Sequence, residues 1–181
     1  GSLGVTFSPA AAITNGAQWQ VDDGVAQPYG AIVTGLSVGN HTVSFSPLNG
    51  WAIPPSQTVA VSANSTAFTS GAYCQLLYTN NNGAITITSY TNAGSGSVVL
   101  PVTIDGLPVT RIGSNTFQNY TGLTNVTIPG SIANIGINAF INCSGLKAVY
   151  FQGNAPLLDT FNQNLFSGNL AVYYLPGTSD W

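Results

Sequence analysis

Two stretches of the chain can be written one beneath the other: VTRIGSNTFQNYTGLTNVTI, starting at Val109, and IANIGINAFINCSGLKAVYF, starting at Ile132. Ile112 then falls over Ile135, Phe117 over Phe140, Leu123 over Leu146 and Val126 over Val149, each pair 23 residues apart. A fixed period of this size is the mark of a solenoid, in which no single copy can bury its apolar face and copies must stack. This feature constrains the fold of residues 109–151 strongly. It names neither a ligand nor a reaction.

The period extends in both directions. Val98-Val99-Leu100-Pro101 resembles Val126-Thr127-Ile128-Pro129 at an offset of 28, so that coil is expected to carry a five-residue insertion around Ile104–Leu107. Beyond Phe151, Val149 maps to Val172, Gly145 to Gly168 and Ile135 to Leu158. Phe140 maps to Gln163, so the short helical side is expected to be rebuilt there, as terminal copies that cap a solenoid often are. The sequence stops at Trp181 soon after an apolar strand, which suits a fragment of something longer. Upstream, YCQLLYTNNNGAITITSY reads as a hairpin turning at Asn80–Gly83, with Ile85 and Ile87 alternating after it, that caps the solenoid. Apolar Tyr73, Leu76 and Leu77 at the junction suggest docking to what precedes, since a free linker would be more polar.

Residues 2–73 show a different period. Leu3, Val5 and Phe7 alternate, as do Ala17, Trp19 and Val21, then Val43 and Phe45, then Val59 and Val61. Period two over short runs means half-buried strands. Asn15-Gly16, Asp23-Gly24, Gly39-Asn40, Asn49-Gly50 and Pro54-Pro55 mark the turns, with a tight hairpin expected at Asp23-Gly24. Six or seven strands in this length predict a small β-sandwich, with Trp19 and Trp51 in its core.

Residues Ile135-Gly136, Ala139-Phe140, Cys143 and Leu146, with Thr127, Ile128, Pro129, Ser131 and Ile132 before them, resemble the BspA-type leucine-rich repeat. The preceding copy departs from it, with Thr116 in place of the alanine and Tyr120 in place of the cysteine. The resemblance spans about residues 85–175 and implies a bacterial secreted or surface protein concerned with adhesion or protein binding. In the first region Val21, Asp22, Gly24, Gly35, Leu36, Gly39, His41, Val43, Gly50 and Trp51 resemble PEGA-type and immunoglobulin-like surface modules. That resemblance implies a spacer or a carbohydrate- and surface-associated module.

Charge narrows the function classes. Of 181 residues only 4% are charged: Arg111, Lys147 and five aspartates, for a net charge of −3. Ordinary domains carry about 25%. With two basic residues no phosphate-neutralising patch can be built, which argues against nucleic acid and against anionic membranes. No apolar run approaches the ~18 residues of a membrane helix. No signal peptide is read, and the opening Gly1-Ser2 suits a tag remnant, so any export signal is expected outside this sequence.

Candidate sites are few. In the repeat strands Val126, Val149 and Val172, and Ile128, Phe151 and Tyr174, are expected to face the core, leaving Thr127, Tyr150 and Tyr173 as an outward row about 4.8 Å apart. Beside them run Asn125, Ala148 and Ala171. Tyrosines next to small residues suit a sugar or a protein surface, while cross-strand aromatic pairing alone would also account for them. His41 is the only histidine, with no nucleophile motif to serve; a strand-edge hydrogen bond is its expected role. Asp22-Asp23 lacks the six to eight ordered oxygens that calcium needs and reads as a turn. Asp105 and Asp159 would make a glycosidase pair only if they faced one cleft. Cys74 and Cys143, with one histidine, make no convincing zinc site, and Cys143 reads as a small apolar filler. N-x-S/T triplets at Asn40, Asn64, Asn119, Asn125 and Asn142 follow from composition.

The reading is thus a mainly β protein: a β-sandwich over 2–73 and a leucine-rich solenoid with short helical turns over 74–181. It is expected to be a non-catalytic, secreted or cell-surface binding module without cofactor or metal. A protein or glycan would be bound through Thr127, Tyr150 and Tyr173. A structural spacer is the alternative, and a glycan-active enzyme with an aspartate pair the third.

Overall fold

Alternating apolar residues become strands almost everywhere the period-two pattern occurs. The structure, a computed structural model, describes residues 1–91, 96–159, 165–166 and 170–181. The chain divides into two compact units, Gly1–Leu48 with Ile53–Tyr73, and Asn49–Ala52 with Cys74–Trp181.

The first unit contains β1 (Ser2–Ser8), α1 (Ala10–Thr14), β2 (Trp19–Val21), β3 (Ile32–Thr34) and β4 (Gly39–Phe45). After β5 (Trp51–Ala52), which belongs to the second unit, it closes with β6 (Gln57–Val61) and β7 (Thr66–Ala72). Two three-stranded sheets result, ordered β3-β1-β7 and β2-β4-β6. Leu3, Val5 and Phe7 from one sheet, and Trp19, Val43 and Phe45 from the other, are all buried. Tyr73 is fully buried, with edge-on contacts to Phe7 and Phe45 at 5.8 and 6.3 Å, and its hydroxyl donates to the Ser46 carbonyl at 2.8 Å. Gly71 is required where the sheets meet, because a Cβ there would lie 2.5 Å from the Phe45 ring.

Three local features differ from the sequence expectation. The tight turn centres on Asp22-Asp23, both at positive φ (48° and 56°), with the Gly24 amide donating to the Val21 carbonyl. The short helix α1 is set by an alanine run after Pro9 and stopped by Asn15-Gly16, with Gly16 at φ 85°. Trp51, expected in the sandwich core, lies in β5, whose backbone pairs with Gln75 and Cys74 in the second unit.

The second unit begins with the expected hairpin, β8 (Cys74–Asn81) and β9 (Ala84–Thr91), turning at Asn82-Gly83 with φ 54° and 88°. Then come β10 (Gly96–Val99), β11 (Thr103–Ile104), β12 (Leu107–Ile112), β13 (Leu123–Pro129), β14 (Asn134–Ile135), β15 (Ala148–Gln152), β16 (Leu157–Leu158) and β17 (Ala171–Tyr174). They form a β-solenoid of about three turns, with a period near 24 residues. One parallel sheet runs β10-β13-β15-β17; the other runs β16-β14-β12-β9 and continues antiparallel into β8 and β5. Val126 sits opposite Val149 and Val149 opposite Val172, while Val98 sits opposite Val126. The 23-residue period and the 28-residue offset of the first coil are therefore both real. Leu158 pairs in register with Ile135 as expected.

The third side of each coil carries short turns with little helix, and the only α-helix among the described residues is α1. These turns stack through backbone bonds: Asn115 N–H to Ile137 C=O at 3.0 Å, Phe117 to Ala139 at 2.8 Å, Asn119 to Ile141 at 3.0 Å. Asn115, Asn119, Asn138 and Asn142 all have φ between 57° and 64°, the left-handed region that asparagine tolerates better than most residues. Inside, Phe117 and Phe140 stack at 4.9 Å and 2°, and Phe140 meets Phe166 at 5.5 Å. Gln163, where the simple period placed the rebuilt side, lies outside the described residues.

The departures in the earlier copy are also explained. Thr116 is buried, with its hydroxyl 2.8 and 3.0 Å from the carbonyls of Gly113 and Ile87. The Tyr120 hydroxyl donates to the Tyr90 carbonyl, and the Cys143 thiol points to the Phe117 carbonyl at 2.9 Å. Both residues at this repeat position reach back to a carbonyl of the preceding layer.

Two outcomes test this packing. Phe140→Ala is expected to cost about 3–5 kcal/mol of unfolding free energy, as a large buried aromatic does. A Cβ at Gly145 would lie 2.0 Å from the Thr121 carbonyl oxygen, so Gly145→Ala is expected to cost about 1–3 kcal/mol through overpacking. Denaturant melts check both, and unchanged midpoints would contradict the stacking.

Candidate functional site

The outward row predicted for the solenoid sheet is present. Thr127, Tyr150 and Tyr173 are cross-strand partners on β13, β15 and β17. Alternation puts Val126, Val149, Ile128 and Phe151 inward and buried, which forces the residue between them outward. Tyr150 and Tyr173 are 41% and 51% exposed. Their rings stack at 4.9 Å and 9°.

That geometry decides what the row can offer. The two rings face each other, so no single broad ring face spans both strands. Beside it, Gln152, Leu175 and the two tyrosines line a shallow open hollow of about 250 Å³. Asn125, on the other flank, donates to the Ser97 hydroxyl at 2.6 Å. The surface is uncharged and amphipathic.

Val172 and Tyr174 depart from the expectation that they face a covered core. They are 44% and 56% exposed, because among the described residues β17 is the edge of its sheet. Tyr174 stacks on Trp181 at 5.1 Å, and Trp181 also packs on Phe151 at 4.6 Å.

The aspartates considered for chemistry are engaged separately. Asp105, in the turn between β11 and β12, accepts from the Asn49 amide at 2.6 Å and the Tyr78 hydroxyl at 2.7 Å. These bonds, the tyrosine's first, hold its carboxyl below the usual range. Asp159, after β16, accepts from Arg111 at 2.6 Å. Each carboxylate thus already holds its own partners. Among the described residues no three His, Cys, Asp or Glu side chains gather as a metal site would require.

His41 has partners that the sequence did not reveal. It is buried on β4, with Nδ1 2.5 Å from Asp22 Oδ2 and Nε2 3.0 Å from the Ser37 carbonyl. The Ser37 hydroxyl is farther, 3.4 Å from Nε2. Acid, imidazole and hydroxyl are therefore near one another, but Nε2 is aimed at a carbonyl and is not free to take a proton from serine. Aspartate at a turn, a residue type whose side chain bonds nearby backbone, was the one sequence-level hint that Asp22 turns back on the strand.

Cys74 and Cys143 are buried thiols not joined in a disulfide, 2% and 1% exposed. Burial pushes both thiols up from their usual range, the opposite of what a reactive cysteine needs. A thiol reagent at pH 8 is expected to label neither cysteine in the folded chain and both in denaturant. Fast labelling of the native protein would contradict this.

A comparison with curated proteins finds no match. Among solved structures the chain is similar to a leucine-rich repeat protein of T. pallidum, 31% identical over 43% of this chain and 40% of that one, with a TM-score of 0.39. It is similar to a leucine-rich cell surface protein of Faecalibacterium prausnitzii, 30% identical over 54% of this chain and 24% of that one, TM-score 0.38. It is also similar to a leucine-rich repeat protein of Bacteroides capillosus, 23% identical over 57% of this chain and 93% of that one, TM-score 0.36. The chain spans less than half the length of the first two. The family model for the BspA type leucine-rich repeat region matches residues 61–176 in six copies, and the chain belongs to that family.

Proposed function

We propose that this chain is a non-catalytic binding or adhesion module of a bacterial secreted or surface protein, and that it recognises its partner through the outer face of the β10-β13-β15-β17 sheet. The observation that carries this reading is the Tyr150–Tyr173 stack beside the hollow lined by Gln152 and Leu175. Tyrosine contributes large amphipathic contact area at low entropic cost, and such residues anchor interfaces. Because the two rings face each other, a sugar ring cannot lie flat across both. The amphipathic face suits an uncharged protein surface better than a glycan. Membership of the repeat family supports a surface binding role. The first unit, read as PEGA-like from Val21, Asp22, Gly24, Gly35 and His41, would present or space the solenoid.

Charge supports the choice of partner. Arg111 is bonded to Asp159, which leaves Lys147 as the sole other basic side chain. One lysine makes no phosphate-neutralising patch. The spacer reading is favoured by the same ring stack, which stabilises the sheet without any ligand.

The test is a screen of the purified chain against immobilised host-matrix proteins and glycan arrays, with Tyr150→Ala/Tyr173→Ala alongside. A protein hit that weakens tenfold or more in the double variant is the expected result. A hit unaffected by the variant would move the site elsewhere, and no hit would favour the spacer. A double-mutant cycle on stability is expected to give a Tyr150–Tyr173 coupling of about 0.5–1.5 kcal/mol, whatever the screen returns.

A further inference from the structure

His41 is the chain's only histidine, and its surroundings fix its protonation. Its side chain is 7% exposed. Nδ1 faces a carboxylate oxygen of Asp22 at 2.5 Å, and Nε2 faces the Ser37 carbonyl at 3.0 Å. Both partners are acceptors. A neutral imidazole carries one N–H and one lone pair, so either tautomer would set a lone pair against an acceptor oxygen. The imidazolium, with two N–H groups, satisfies both of these acceptors at once; the neutral Nδ1–H tautomer satisfies Asp22 alone and must turn to the Ser37 hydroxyl at Nε2.

The carboxylate is itself held in place. Asp22 Oδ1 accepts from the Thr42 amide at 2.8 Å, and the turn that aims it back has Asp22 and Asp23 at positive φ. The Ser37 carbonyl belongs to the connection between β3 and β4, which links the unit's two sheets. The next residue back, Leu36, has its carbonyl bonded to the Gly1 ammonium at 2.6 Å. The groups around the ring are therefore Asp22, with Asp23 beside it in the turn, and the Gly1 ammonium. On β6 the residue opposite His41 is the uncharged Val59.

We propose that His41 is an imidazolium latch: with its proton it ties the β3–β4 connection to the Asp22-Asp23 turn, and without it Ser37 is released and that connection loosens. The proton goes to solvent. The Ser37 hydroxyl, 3.4 Å from Nε2, is the one neighbour able to donate to the neutral ring, so release replaces the carbonyl bond by a rearranged hydroxyl bond.

The direction with pH follows. The Asp22 bond first, then the Ser37 carbonyl, raise the proton affinity of His41; burial, and after it the Gly1 ammonium, oppose them. The His41 bond first, then the Thr42 amide, lower the carboxyl of Asp22. The latch is therefore fully made below about pH 6.5, the usual imidazole value, and is lost as pH rises through the raised value of His41. On the acid side it is present above the usual carboxylate range and is lost as pH falls through the lowered value of Asp22.

The experiment is an NMR titration of the full chain, labelled with nitrogen-15, from pH 4 to 9. Both ring nitrogens are expected to read as protonated at pH 6.5, with a midpoint above it. Amide shifts that follow the same midpoint are expected to be concentrated in residues 35–42 and 22–24. Asp22→Asn is expected to lower the midpoint by about 1 pH unit or more, as loss of a close opposite charge does. A wild-type midpoint at or below 6.5, a titration without amide changes at 35–38, or an Asp22→Asn midpoint equal to wild type would each overturn the latch.

Discussion

Backbone hydrogen bonding from coil to coil is the constraint on which the solenoid depends. Every N–H and C=O that leaves water must find a partner, and here most find it one repeat away: Lys147 N–H on Thr124 C=O, Ala171 on Lys147, Gly136 on Ile112. Those bonds bring chain against chain so closely that side chains have no room at certain positions. A Cβ would lie 2.4 Å from Ser114 N at Gly136 and 2.5 Å from Gly130 Cα at Gly153. Once spacing is set this way, like residues must lie over like, and the phenylalanine stack inside and the tyrosine stack outside follow from one register.

The same constraint explains the unusual composition. Tight corners repeated in each coil call for residues that accept positive φ, and asparagine supplies them at Asn115, Asn138, Asn119 and Asn142. Asn142 also donates to Asn119 at 3.0 Å, so the corner residues form a ladder of their own. Three of the five N-x-S/T triplets, at Asn64, Asn119 and Asn142, have their asparagine in this conformation. Their presence reflects turn geometry as much as chance. With polarity supplied by amides and hydroxyls, the outer sheet face stays neutral, which shapes the kind of partner proposed for it.

Much of the solenoid was legible because its signal is periodic and its core residues are large. Ile112 and Ile135, Val126 and Val149, and the 28-residue offset to Val98 could be read directly. Phe166 could not, because it follows Phe140 by 26 residues and a fixed period points to Gln163. Exposure of Val172 and Tyr174 was also illegible, since alternation reports which face a residue takes and not whether anything covers it. In the first unit, strands were visible but pairing was not: nothing in the sequence says that β1 runs parallel to β7 or that Trp51 pairs beyond its neighbours in sequence. The outward tyrosine row was placed by alternation, whereas the facing of its rings and the acceptors around His41 depend on contacts distant in sequence.

The central claim is that stacking at a fixed register holds the second unit together, and coil excision tests it most directly. Removing Thr124–Leu146 deletes one 23-residue period, the spacing of the stacked coils, and places Lys147 where Thr124 stood. This account predicts that the shortened chain keeps a β-type circular dichroism spectrum and a cooperative melt. Removing Thr124–Cys143 instead shortens the deletion by three residues and breaks every ladder, so that variant is predicted to lose the cooperative transition of the solenoid. Equal behaviour of the two deletions would contradict the account.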